Sequence, residues 1–108
     1  MNETLIANLR AQRGGPRDGA LLRFSLGNAL LTAGDAAGAA EELRQAVAFD
    51  PNYSAAWKLL GKACLAQDDK PRAAEAWRQG IAVAQARGDK QAEKEMTVFL
   101  RRLEPPAR

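Results

Sequence analysis

The stretch Leu26-Gly27-Asn28-Ala29-Leu30 returns 34 residues later as Leu60-Gly61-Lys62-Ala63-Cys64, and that return decides the fold. The same offset lays Asp35 on Asp69, Ala39-Ala40-Glu41 on Ala73-Ala74-Glu75, Arg44-Gln45 on Arg78-Gln79 and Ala48 on Ala82, with Leu43 matched by Trp77 and Val47 by Ile81. Self-similarity at a fixed period of this length marks a chain built from one repeated supersecondary unit. Within the unit the apolar residues recur at helical spacing, Leu22, Leu26 and Leu30 in its first half and Leu43, Ala46 and Val47 in its second. The unit is therefore a helix, a turn and a helix, not a pair of strands.

The punctuation agrees with that reading. Gly34 suits the left-handed residue that ends a helix, and the side chain of Asp35 can accept from the free N–H groups that open the next. Asp69 occupies the same place in the second copy, with Pro71 in the first turn, where its missing N–H is not needed. Asp50-Pro51-Asn52 separates the copies, because a proline disfavours helix at the residue before it and cannot continue the helix behind it.

With Leu26, Gly27, Leu30, Ala39, Leu43, Ala46 and Pro51 in the first copy, and Trp57, Leu60, Gly61, Ala73 and Trp77 in the second, the 34-residue unit resembles a tetratricopeptide repeat. The resemblance covers about residues 20–87 and implies an all-α helix-turn-helix solenoid in which Gly27, Gly61, Ala39 and Ala73 let paired helices approach closely. Three positions depart from the pattern: Arg23 stands at a large apolar position, Gly80 at an alanine and Gln85 at a proline. The missing proline predicts that the last repeat helix runs on through Val83-Ala84-Gln85-Ala86.

Segments on either side read as caps. Residues 2–13 form a short helix candidate with Leu5, Ile6 and Leu9 on one side, ahead of the breaker run Gly14-Gly15-Pro16, which reads as a linker. Leu5 and Leu9 lie 34 residues before Ala39 and Leu43, so this helix reads as the second helix of a vanished preceding unit, with a mobile arm that fills the groove or docks on a partner as the alternative. After Gly88-Asp89, the residues Ala92, Met96, Phe99, Leu100 and Leu103 make one apolar stripe on a helix over 89–103. On a strict 34-residue period a third repeat would need a small residue where Glu95 stands, so the helix reads as a terminal cap with Lys90, Lys94, Glu95, Arg101 and Arg102 on its polar side. The expected organisation is a single domain over 1–108, with a helix at 2–13, repeats at 20–53 and 54–87 and a capping helix at 89–103.

Composition excludes most chemistry. At 108 residues the chain has the length of one domain, and with no histidine and a single cysteine it cannot assemble a structural zinc site, a Cys/His pair or a Ser/His/Asp triad by itself. The expectation is a non-catalytic chain with no cofactor and no metal. Cys64 has no partner for a disulfide, which points to a reducing compartment and so to the cytoplasm. Leu5-Ile6-Ala7 is interrupted by Asn8 and Arg10 before it could become a signal peptide, and no stretch approaches a membrane span. Trp57, Trp77 and Cys64 coincide with repeat core positions and read as packing residues, and Asp68-Asp69 reads as a turn and helix cap.

The resemblance implies a module that binds a peptide or helix of a partner protein in a concave groove lined by first helices. Lys58 and Lys62 are four apart and share a helix face, and Asn28 lies one period before Lys62. Together with Phe24 they form the candidate groove set Phe24, Asn28, Lys58 and Lys62. It is similar to part of the carboxylate clamp with which chaperone-binding members hold an acidic C-terminal peptide. Phe24 replaces the first clamp lysine and Leu59 an asparagine, and Asp89 and Glu93 stand where the clamp is basic. Self-association is a further option. The alternative function is binding of nucleic acid or another polyanion, motivated by a net charge of +3, a pI near 9.4 and the arginines at positions 10, 13, 17, 101 and 102. Those arginines sit at the chain's two ends without interleaved aromatics, which disfavours nucleic acid as a partner.

Overall fold

The computed structural model describes residues 2–104, which form six helices: α1 Asn2–Ala11, α2 Ala20–Thr32, α3 Ala36–Phe49, α4 Ser54–Ala66, α5 Lys70–Arg87 and α6 Lys90–Leu103. No strand occurs among the described residues. Three aspartates cap as their spacing predicts: Asp35 accepts from the Gly38 N–H at 2.9 Å, Asp69 from Arg72 at 3.2 Å and Asp89 from Ala92 at 3.1 Å. Gly34 ends the α2 turn at φ 92°, and one period later Asp68 adopts φ 59° in the same place, a left-handed conformation that the short polar side chain of aspartate tolerates. The helix over residues 2–13 stops instead at Ala11, because the N–H groups of Gln12 and Arg13 turn back to the carbonyls of Leu9 and Arg10 in a tightening turn.

Paired helices touch where the sequence is small. A Cβ added to Gly27 would lie 2.6 Å from Leu43 Cγ, and one added to Gly61 would overlap the indole nitrogen of Trp77. Trp77 is 1% exposed and its Nε1 donates to the Lys58 carbonyl at 3.0 Å, so the largest core side chain is fixed at both its apolar and its polar end. Leu26, Leu43, Ala39, Ala46, Ala63 and Ala73 are likewise buried, forming one continuous solenoid core. Two long side chains hold the loop between the units, Trp57 Nε1 donating to Pro51 O at 2.8 Å and Arg87 Nη1 to Asn52 O at 2.7 Å.

Without a proline at Gln85, α5 runs on to Arg87, and Gly88 ends it at φ 72° so that the Asp89 N–H reaches the Ala84 carbonyl at 2.8 Å. The added length moves the next register. α6 begins 36 residues after α4, and its buried Ala92 and Met96 correspond to Ala56 and Leu60. Thr97, and not Glu95, therefore stands at the position of Gly61. α6 packs against α5 and beside α4, in the place of the first helix of a following unit. Met96 fills the space over Gly80, where a Cβ would overlap its sulfur.

Arg23, the departure from the repeat pattern, is the centre of an ionic clasp. Its Nε and Nη2 hold the two carboxylate oxygens of Asp18 at 2.8 and 2.9 Å, while Nη1 reaches Glu42 at 3.2 Å and Arg13 bonds the other Glu42 oxygen at 2.7 Å. Asp18 also accepts from the N–H groups of Gly14 and Gly19 at 2.8 and 2.9 Å. The run 14–19 is thus a fastened loop and not a free linker: Gly14 has φ 79° and donates its N–H to the clasp.

The hydrogen-bonded guanidinium of Arg23 holds the Asp18 carboxyl well below the usual carboxylate range, with help from the Gly14 N–H. Because the folded value is lower than the unfolded one, this contribution to stability is complete above about pH 4 and is lost as pH falls below it. Asp18→Asn should lower the melting temperature at neutral pH and flatten the acid limb of a stability-versus-pH curve below about pH 4, measured by circular dichroism.

Candidate functional site

The first helices α2, α4 and α6 lie side by side, and on that side the structure divides the groove set between different surroundings. Phe24 and Asn28 border one hollow, of about 430 Å³, together with Leu5, Leu9, Ser25, Ala29 and Thr32. Phe24 leans on Tyr53, their ring centroids 5.0 Å apart. Lys62 borders another, of about 380 Å³, between α4 and α6, with Leu65, Ala66, Trp77, Phe99, Arg102 and Leu103. Lys58 lines neither. Its ammonium bonds Glu95 Oε1 at 2.8 Å, and this pairing holds the Glu95 carboxyl below its ordinary value.

The α4–α6 hollow joins an apolar interior to a cationic rim. Trp77 forms its floor, and Phe99 packs on that indole with centroids 5.3 Å apart and ring planes at 44°. The Lys62 ammonium lies 5.2 Å from the Phe99 centroid, so a cation and an aromatic face present themselves together. Arg102 shares the rim, and no acidic residue lines the hollow among the described residues. Such a site suits an apolar side chain flanked by a carboxylate, because partial removal from water strengthens a charge pair relative to an exposed one. Phe99, Arg102 and Leu103 fall outside the candidate groove set. Their apolar or basic character is plain in the sequence, but their placement depends on the two-residue shift of register that follows α5.

Cys64 lies buried on the inner side of α4, where burial pushes its thiol up and away from the reactive thiolate. Among the described residues, no cluster of three or more His, Cys, Asp or Glu side chains could hold a metal, and no helix is long and apolar enough to cross a membrane.

A model of the tetratricopeptide repeat matches residues 4–54 and again residues 24–90. The chain belongs to the tetratricopeptide repeat family. It is a small bacterial-type member: the TPR repeat-containing protein PA0015 of Pseudomonas aeruginosa is 62% identical over 87 residues, spanning 81% of this chain and 83% of that protein. Among solved structures, protein BPP2914 from Bordetella parapertussis is 45% identical with a TM-score of 0.78, covering 92% of this chain and 86% of its own. The Sgt2 TPR domain from Aspergillus fumigatus is 28% identical with a TM-score of 0.68, over 99% and 76% of the two chains. Tetratricopeptide repeats generally mediate protein–protein interaction and are typically non-catalytic.

Proposed function

We propose that this tetratricopeptide repeat protein is a non-catalytic adaptor of the cytoplasm that holds a short acidic–apolar segment of a partner protein, its terminal carboxylate included, in the hollow between α4 and α6. The observation that carries this reading is the combination in one hollow of an apolar wall, Leu65, Phe99 and Leu103 over the buried Trp77, with the Lys62 and Arg102 cations. The partner's apolar side chain enters over Trp77 and its carboxylate meets the rim. In the free monomer Phe24 and Asn28 extend the contact along α2, while Lys58, engaged by Glu95, supports the wall. A groove across two units is short, so the affinity is expected near the micromolar range, about −8 kcal/mol.

Peptides selected from a random display library should share an acidic residue beside an aromatic or large aliphatic one, and calorimetry should give micromolar binding. Lys62→Glu combined with Arg102→Glu should abolish that binding with an unchanged circular dichroism spectrum, whereas Arg10→Glu with Arg17→Glu should leave it intact. The opposite pattern would assign the protein to polyanions: binding to heparin or single-stranded nucleic acid that falls steeply with salt and is lost with Arg10 and Arg17.

A further inference from the structure

Among the described residues, the solenoid stops half-way through a helix pair at each end, and at opposite halves. α6 has the register of a first helix, with Ala92, Met96, Thr97 and Leu100 at the places of Ala56, Leu60, Gly61 and Cys64. The flank that α4 turns toward α5 is open on α6 and is bordered by Glu93, Lys94, Thr97, Val98 and Arg101. α1 has the register of a second helix, with Leu5, Ile6 and Leu9 at the places of Ala39, Ala40 and Leu43. Ile6 is buried on α2, but Leu5 is 49% exposed at the edge of the hollow that it shares with Leu9, Phe24 and Asn28. Topology identifies that hollow. α2 lies against α3 and beside α4, α4 lies against α5 and beside α6, and the next seat in the series, against α1 and beside α2, holds no helix among the described residues.

We infer that a second copy of this chain fills the seat: α6 of one molecule docks against α1 and α2 of the next, so that α6 and the neighbour's α1 form one composite repeat. Val98, 43% exposed, meets Leu5, Leu9 and Phe24 and gives the junction its apolar centre. The polar residues are compatible. The hollow is bordered only by uncharged side chains, so the charges of α6 face no like charge there. Glu93 has the register of Arg23, and Asn8 that of Glu42. Arg23 and Glu42 bond across the first helix pair at 3.2 Å; Glu93 Oε2 accepts from Gln85 Nε2 at 3.1 Å within the chain, and at the junction its other oxygen accepts from the Asn8 amide. Thr97, where the repeats carry glycine, keeps this pair wider than α4 and α5, so the contact is reversible, with a dissociation constant of about 0.1 mM. Each junction leaves one α1 and one α6 free, and growth is therefore open-ended.

Sedimentation velocity of the full chain between about 10 µM and about 1 mM tests this. The mean mass should rise with concentration past the dimer without a plateau. Val98→Asp and Leu5→Asp should each hold the chain monomeric, and an equimolar mixture of the two should give dimers and nothing larger, because one junction in such a pair is intact. Should Leu5→Asp lose helix content, Thr32→Arg on the rigid wall of the hollow replaces it. A chain monomeric at about 1 mM, a closed dimer, or association unchanged by the folded hollow variant would overturn the inference.

Discussion

Removal of Asp89–Arg108 is expected to abolish the cooperative thermal transition. Met96 is fully buried over Gly80, Phe99 packs on Trp77, and Leu100 and Leu103 pack against the core. Burying an aliphatic or aromatic side chain stabilises by about 1.5–3 kcal/mol, so the loss of these contacts approaches the ~5–15 kcal/mol that holds a whole domain. Truncation also leaves Trp77, Gly80 and Ala84 facing water along one side of α5, a surface prone to association. The checks are a circular dichroism melt and light scattering. A truncated chain that stays monomeric with the parent's melting temperature would show that α6 is an appendage and no part of the core.

Gly61→Leu should be the most damaging single substitution. Even a Cβ at Gly61 overlaps the Trp77 indole, and Trp77 cannot retreat: it is buried, bonded through Nε1 to Lys58, and packed on its other side by Phe99. Moving it gives up that hydrogen bond as well as its packing, so the expected cost is about 3 kcal/mol or more. The control is Gly19→Ala, at an extended backbone position with nothing near an added Cβ. Gly14 is a poor control despite its open surroundings, since its φ of 79° disfavours any side chain. Thermal denaturation with equal shifts at Gly61 and Gly19 would remove the close approach of α4 and α5 as a source of stability.

The small residues at Gly27, Gly61, Ala39 and Ala73 announced the helix pairs because steric exclusion acts at a fixed place in each unit and leaves a periodic trace. The aspartate caps were legible for the same reason, each needing only its own neighbours. What escaped depends on partners distant in the chain. Arg23 reads as an oddity until Glu42, 19 residues away, and the turned-back loop at Asp18 are both in place. Lys58 reads as a solvent-facing groove lysine until α6 brings Glu95 to it across 37 residues. The α4–α6 hollow was hidden by a backbone effect: one proline fewer lengthens α5, slides the following register from 34 to 36 and changes which face of α6 turns toward α4.

The Arg23 clasp makes the two ends of the rod respond to different solvents. The anchorage of α1 and its loop leans on charged hydrogen bonds at Asp18 and Glu42, beside the buried side chain of Ile6, and dissolved ions weaken such bonds where they are partly exposed, as at Arg13. α6 is anchored by Met96, Phe99 and their neighbours, contacts that strongly hydrated salts such as sulfate reinforce. In a stacked array, where each element touches only its neighbours, fraying at one end need not reach the other. Chloride is therefore expected to loosen the amino-terminal edge first, through the exposed Arg13 end of its pair with Glu42, and sulfate to tighten the carboxy-terminal one, a polarity of unfolding that the nearly symmetric repeats would not give.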